Sequence, residues 1–139
     1  MIIYDATDLV LGRLAATAAK KAMLGEQVAV VNCEHAVISG SRANILKRYF
    51  HKRSRTTPAK GPFIPRMPDR FVRRAIRGML PHRKSRGEDA FERIMCYIGV
   101  PKQFEGKQME TIKNANISER QLTRYTNVLE VCKQLGAKI

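Results

Sequence analysis

The sequence is poor in acids and cysteines and has no long apolar run, and each shortage argues against a class of protein. It has 12 acidic side chains against 26 lysines and arginines, for a formal net charge of +14 at pH 7. The three cysteines are few, odd in number and far apart, which favours small reduced core residues over disulfides or metal ligands. Without an apolar run of about 18 residues or a signal-peptide pattern, we expect a cytoplasmic protein with no membrane partner.

Motifs for common enzyme chemistry are also missing. The first strand-to-helix turn, DATDLVLG, has no G-x-G-x-x-G, and neither a P-loop nor a G-x-S-x-G elbow occurs. His35, His51 and His82 lie in different predicted elements, without metal-ligand spacing. Gly40 and Ser41 could place one phosphate at a helix start, although ordinary turn and cap chemistry is the favoured interpretation. We therefore predict no catalytic residue, no metal, no cofactor and no small-molecule substrate.

The positive charge is concentrated in one segment, residues 47–86, which we call the basic arm. It holds 14 of the 26 basic residues and a single acid, Asp69. Clustered lysine and arginine release many counterions on binding a phosphate backbone, so this distribution indicates a polyanionic partner, with a membrane surface as the rival polyanion.

The first 40 residues alternate between strand and helix patterns. MIIYDAT is typical of a buried strand, and the apolar spacing predicts a helix over Leu9–Leu24 that Thr7 or Asp8 could cap. QVAVVNC and AVIS then predict two further strands. A strand, a helix and a strand in this order predict a parallel pair in an α/β fold.

The basic arm begins on a helix that Ser41 could cap and continues into an irregular stretch. Residues 53–68 hold four prolines and one glycine and show no helical or strand period, which predicts an extended internal loop that folds on a charged partner. Phe63, the only aromatic residue of this loop, could stack on an unpaired base or anchor the loop to the domain; the sequence leaves both open.

A helix predicted over Asp69–Leu80 carries the most informative charge pattern. Its apolar side contains Phe71, Val72, Ala75, Ile76, Met79 and Leu80. Four arginines recur at i, i+3, i+4 and i+7 and so share one narrow stripe, the arginine stripe: Arg70, Arg73, Arg74 and Arg77. Like charges at this spacing repel one another, so helix stability alone does not explain them. We interpret the stripe as a phosphate-binding surface in preference to an ordinary solvated face.

Two more helices are predicted towards the C-terminus. The first starts near Glu88 and Asp89 and ends at Gly99, with a buried stripe of Phe91, Ile94, Met95 and Ile98. The second spans about 118–135, with a capping box from Ser118 to Gln121.

Four motifs together carry a resemblance to a known family. They are LGRLAA at 11–16, VAVVNCEHAVISG at 28–40, IRGMLPHRKSRG at 76–87 and YIGVP at 97–101. In order and spacing they resemble the universal large-subunit ribosomal protein family numbered thirteen. From about Gln103 the chain departs from the bacterial pattern and is more similar to archaeal and eukaryotic members.

The resemblance implies a three-layer α/β/α domain around a small parallel sheet, here one domain over residues 1–139 with a basic, proline-rich internal extension. It implies no enzymatic activity, a place in the cytoplasmic large ribosomal subunit, and a role in early assembly. The implied partners are large-subunit ribosomal RNA and neighbouring ribosomal proteins, with mRNA as a further possibility. The family's G-M-L-P block corresponds to Gly78–Pro81, flanked by Arg77, Arg83 and Lys84.

Our leading hypothesis is a structural protein that binds ribosomal RNA through the basic arm, mainly at phosphate and sugar. The predicted RNA-binding residues are Lys47, Arg48, Lys52, Arg53, Arg55, Lys60, Arg66, Arg70, Arg73, Arg74, Arg77, Arg83, Lys84 and Arg86. One alternative is a nucleotide-dependent α/β enzyme with a site near Asp5, Asn32 and 39–41. The other is a DNA- or mRNA-binding regulator, although the arginine helix lacks Asn or Gln for reading bases.

Overall fold

The part of the chain that the structure describes contains five strands and five α-helices. The computed structural model describes residues 1–55 and 57–139. In chain order the elements are β1 (Ile2–Asp5), α1 (Leu11–Met23), β2 (Val28–Val31), β3 (Val37–Ser39), α2 (Arg42–Ser54), α3 (Pro68–Arg77), α4 (Ser85–Glu92), β4 (Ile94–Cys96), β5 (Tyr125–Asn127) and α5 (Val128–Gln134).

The central sheet is parallel and has the order β1, β2, β4. Ile2 lies opposite Val28, and Val28 lies opposite Ile94 on its other side. The sheet confirms the predicted parallel pairing of the first strand with the strand that follows the first helix. All four residues of β2 are buried, as expected for a central strand covered on both faces.

Alternate residues of the strands point to two unequal apolar clusters. Val28 and Val30 join the main core, to which α1, α3, α4 and α5 contribute, whereas Ala29 and Val31 face the other way. On that second face the sheet packs against Phe104, from the short 3-10 helix Lys102–Phe104, and adjoining loops. The α/β class is therefore confirmed, and its third layer is thin because loops and a single 3-10 turn form it.

The first helix starts later than the sequence predicted. Its N-cap is Val10, without a side-chain cap bond, rather than Thr7 or Asp8. Asp8 has a φ of 58°, in the left-handed region, and Thr7 instead donates from its backbone N–H and its hydroxyl to Asp5 Oδ1. A turn of this kind competes with helix formation and delays it until Leu11.

The helix predicted from Glu88 to Gly99 is wrong in its second half. In the structure α4 ends at Glu92, and the next residues form β4, the third strand of the central sheet. Ile94 and Cys96 are buried while Met95 is exposed, which is the period of a strand. Short apolar runs fit both periods, and here the available sheet edge decides in favour of the strand.

The long helix predicted over 118–135 is also wrong. Residues 118–124 form turns in which Gln121 takes a φ of 48°, and only Val128–Gln134 is helical. Between them β5 pairs antiparallel with β3, with Val37 opposite Asn127. The predicted AVIS strand is thus confirmed, but it belongs to this separate two-stranded ladder.

The arm and the cysteines mostly follow the sequence predictions. Helix α2 starts after Ser41 as predicted, although without a side-chain cap bond. The predicted loop 53–68 and helix Asp69–Leu80 are wrong in their bounds, because α2 continues to Ser54 and α3 runs from Pro68 to Arg77. The stretch between them has little regular structure, and Thr56 lies outside the described residues. The three cysteines are buried and free. Burial raises the pKa of Cys132 to about 12, with Asp69 as a smaller cause, so this thiol is neutral at physiological pH.

No helix in the described part of the chain is long and apolar enough to cross a membrane.

Candidate nucleic-acid interface

The arm cations lie on three connected surfaces, and most of them are exposed. One surface is the C-terminal half of α2 with the stretch that follows it, the second is α3, and the third is the turn between α3 and α4 together with Arg86 in the first turn of α4. The exposed cations are Lys47, Arg48, Lys52, Arg53, Arg55, Lys60, Arg66, Arg70, Arg77, Arg83, Lys84 and Arg86, whereas Arg73 and Arg74 are partly buried. The arm thus presents an almost continuous cationic surface.

Two cations fasten the arm to the end of the last helix. Arg53 donates from Nη1 to the carbonyl of Leu135 at 2.9 Å. Arg66 lies close to Gly136, where a Cβ would stand 3.5 Å from Nη1 of the arginine. Carbonyls at a helix C-terminus carry partial negative charge and attract cations, so the end of α5 helps to fix the arm.

The arginine stripe shares one side of α3, as its spacing predicted. All four arginines line a shallow depression of about 230 Å³, together with Phe63, Pro65 and Phe91. Two of them, however, also bind the rest of the chain. Arg73 donates from Nε to the Ile94 carbonyl at 3.0 Å and from Nη2 to the Phe91 carbonyl at 3.4 Å, and its guanidinium lies 4.2 Å from the Phe91 ring centroid.

Arg74 has a partner as well, because its Nη1 donates to the carbonyl of Phe63. Groups outside the helix therefore do compensate Arg73 and Arg74, but these groups belong to the chain itself, and the two arginines hold β4 and the loop against α3. Arg70 and Arg77 make no hydrogen bond within the described residues, so their guanidinium groups are the stripe's most available donors.

The turn after α3 is built by a close approach that needs glycine. Gly87 is buried, and a Cβ there would lie 2.1 Å from the carbonyl oxygen of Pro81. Lys84 and Gly87 close the turn by donating their backbone N–H groups to Pro81 and Lys84 at 2.9 Å each. This packing holds Arg83, Lys84 and Arg86 exposed beside α3.

The only acid of the arm points inward. Asp69 stands in the first turn of α3, and its buried Oδ1 finds no hydrogen-bond partner among the described residues. Its charge contributes to the raised pKa of Cys132 on α5. With Asp69 turned away, the exposed side of the arm carries positive charge and no competing carboxylate of its own.

The residues of the rival nucleotide site are engaged with one another. Asn32 donates from Nδ2 to Asp5 Oδ1 at 3.0 Å, and the hydroxyl of Thr7 donates to the same oxygen at 2.7 Å. Gly40 donates to the Arg124 carbonyl, and Ser41 precedes α2. Among the described residues no group of three or more metal-ligating side chains comes together. These contacts are those of ordinary turns.

Sequence reasoning missed a cavity within the arm, between α2 and α3. Tyr49 of α2 and Phe71 of α3 approach to 5.1 Å between ring centroids, and the extended stretch 62–65 closes over them. Both residues were predicted to lie on apolar helix faces, but no local pattern places two faces from different helices together. Only the fold brings the two rings together.

Comparisons with known proteins identify the family of the chain. The chain is 43% identical to the large ribosomal subunit protein uL13 of Methanosarcina barkeri over 139 residues, 99% of each chain. It is 40% identical to the same protein of Archaeoglobus fulgidus over 96% of this chain and 86% of the relative. For Haloarcula marismortui the identity is 39%, over 98% and 91%. These archaeal relatives span the part after Gln103 as well, as the resemblance led us to expect. The family model for ribosomal protein L13 matches residues 1–103, and the chain belongs to that family.

Proposed function

We propose that the chain is a non-enzymatic structural constituent of the large ribosomal subunit in the cytoplasm, that its basic arm binds ribosomal RNA, and that it helps early subunit assembly. The observation that carries the proposal is the arm itself: fourteen cations on adjoining surfaces, with their single acid turned inward. The family membership supports ribosomal RNA as the polyanion. Neighbouring ribosomal proteins are further partners, and mRNA is an alternative RNA partner.

The arm suits irregular RNA better than a regular duplex. Its cations follow two helices and a proline-rich stretch, so they cannot all enter one groove, and guanidinium groups bind phosphates in two-point contacts. Arg70, Arg77, Arg83, Lys84 and Arg86 are exposed on α3 and at the start of α4, and they are the first residues we assign to phosphate contacts.

The test is sedimentation of the full chain from a cell lysate at low and at moderately high salt. The wild type should travel with large subunits at both salt concentrations. The double variant Arg70→Glu with Arg77→Glu should fold yet remain near the top of the gradient. A matched control, Lys20→Glu with Lys102→Glu, changes the net charge equally at exposed sites outside the arm and should still sediment with subunits.

Each outcome decides a different part of the proposal. Wild-type protein at the top of the gradient would refute a place in the subunit. Equal incorporation of the arm variant and the control would refute the role of the stripe while leaving the ribosomal location intact.

A further inference from the structure

The cavity within the basic arm is lined partly by apolar side chains. It occupies about 540 Å³ between α2, α3 and the stretch 62–65, within the range of about 300–1,000 Å³ that is common for small-ligand sites. Tyr49, Phe71, Ile64 and Pro62 line it. Burial raises the pKa of Tyr49, so its hydroxyl stays protonated, and its partly exposed ring offers an uncharged aromatic surface beside the buried ring of Phe71.

The rim of the same cavity is cationic. Lys52, Arg55 and Arg74 all border it, and no acidic residue belongs to its lining. The Lys52 ammonium lies 5.5 Å from the Tyr49 ring centroid, so charge and aromatic surface are adjacent. Arg74 uses one nitrogen on the Phe63 carbonyl and keeps other donors for a ligand.

An apolar slot with cations at its mouth is complementary to one chemical group in particular. A nucleotide combines a flat base, which stacks on aromatic side chains, with phosphates that need positive charge on either side. A basic peptide would be repelled by the rim, and a purely apolar segment would leave the three cations without partners.

We propose that this cavity accepts one unpaired base of the ribosomal RNA, with its flanking phosphates on Lys52, Arg55 and Arg74. The inference rests on the proposed function and gives the arm a second mode of binding beside simple charge attraction. The lining provides stacking and phosphate contacts and few groups for reading base edges, so the site selects an extruded nucleotide by shape.

Gly78 offers a way to fill the cavity without changing charge. It lines the cavity and has a φ of −63°, and a Cβ there would meet only ordinary contacts, the nearest being the Ala75 carbonyl oxygen at 3.5 Å. Gly78→Leu should therefore fold and obstruct the site. The matched control is Gly12→Leu, since Gly12 is exposed on α1 and a Cβ there meets nothing within 4 Å.

The experiment measures binding of the full chain to large-subunit ribosomal RNA over a series of salt concentrations. Gly78→Leu should weaken binding roughly 5- to 100-fold, the loss expected when one base leaves its stacking surface. The slope of log affinity against log salt should stay unchanged, because no phosphate contact is removed. Gly12→Leu should bind like the wild type. Equal affinities of the two variants would overturn the inference.

Photocrosslinking of the wild-type complex at 254 nm provides a second readout that does not depend on any variant folding. Adducts should map by mass spectrometry to Tyr49, Phe71 or residues 62–65. Adducts confined to the exposed cations would overturn the base site and leave the proposed function standing. If no RNA binds at any salt concentration, both fail. A peptide of another subunit protein crosslinked at Tyr49 in intact subunits would also overturn it.

Discussion

Some arginines of the basic arm bind the rest of the chain and others are exposed, and composition cannot tell the two kinds apart. Arg73 donates to two carbonyls and covers the Phe91 ring, whereas Arg77, one turn further on, is exposed. Lysine could not replace Arg73 easily, because its ammonium lacks the planar fork that reaches two acceptors while lying on a ring. An arginine in this arm is therefore assigned to the fold or to the RNA only from its contacts.

Gly87→Ala should destabilise the protein, because its methyl group would overlap the Pro81 carbonyl at 2.1 Å. We expect the free energy of unfolding to fall by about 1–3 kcal/mol, as is usual for overpacking. Urea denaturation followed by circular dichroism measures it. Gly12→Ala is the control and should leave stability unchanged or slightly higher, since that position is open. Equal stability of the two variants would mean that the turn after α3 can shift at little cost.

Asp5 should make stability depend on pH in the acid range. Burial alone would raise the pKa of its carboxyl group, but hydrogen bonds from Asn32 and Thr7 outweigh burial and hold it below the ordinary 3.8. The carboxylate therefore stabilises the fold above about pH 3.8, and this contribution disappears as the pH falls through the lower folded-state pKa. Asp5→Asn should reduce stability at pH 6 and flatten the decline of stability below pH 4 in urea titrations. Parallel curves for the two proteins would contradict the assignment.

At the scale of elements, α3 and β4 depend on each other. β4 is an edge strand of the central sheet, and Arg73 of α3 satisfies its Ile94 carbonyl. A side-chain donor on an edge carbonyl also blocks pairing with another strand. The apolar residues near 94–98 fit a helical stripe in isolation, and the strand forms because β2 offers them an unpaired edge.

Arg73→Ala should lower the free energy of unfolding by about 1–3 kcal/mol, because it removes hydrogen bonds from a charged donor and leaves the Ile94 carbonyl without this partner. Arg77→Ala should change stability by less than about 0.5 kcal/mol, since its side chain is exposed. Urea denaturation compares them. In RNA binding the two variants should rank the other way. Arg77→Ala should reduce the slope of log affinity against log salt concentration by roughly 1. A stability loss for Arg77→Ala as large as that for Arg73→Ala would refute this division.

At the scale of the whole molecule, the C-terminal part completes the core. Phe104 fills the cluster on the second face of the sheet, and α5 buries Val128, Val131 and Cys132 in the main core, with Leu135 just after it. The end of α5 also receives Arg53 from the arm. We propose that residues 1–139 form one cooperative unit, although the family model matches only residues 1–103.

A truncated chain of residues 1–103 should therefore fail to fold. Each large apolar side chain it loses from the core contributes about 1.5–3 kcal/mol. Together these losses approach the 5–15 kcal/mol that is the usual net stability of a domain. Circular dichroism during heating should show no cooperative transition for the truncated chain and a single one for the full chain. Cooperative melting of residues 1–103 would show that the C-terminal part is an accessory.

The sequence by itself determined the features that depend on local pattern and charge. Neighbouring residues predicted the β1, α1 and β2 elements, the helical spacing of the arginine stripe, the irregular stretch between α2 and α3 and the buried cysteines, because hydrophobic period and charge density are local. Its family motifs also indicated the family, and the comparisons confirmed it.

Only the tertiary structure decided the rest. It made residues 94–96 a strand and divided the predicted helix 118–135 into turns, β5 and α5, because strand pairing joins segments that are distant along the chain. It turned Asp69 inward, committed Arg73 and Arg74 to internal carbonyls, and placed Tyr49 beside Phe71. Each of these depends on which element packs against which, and side-chain partners of that kind leave no local periodicity in the sequence.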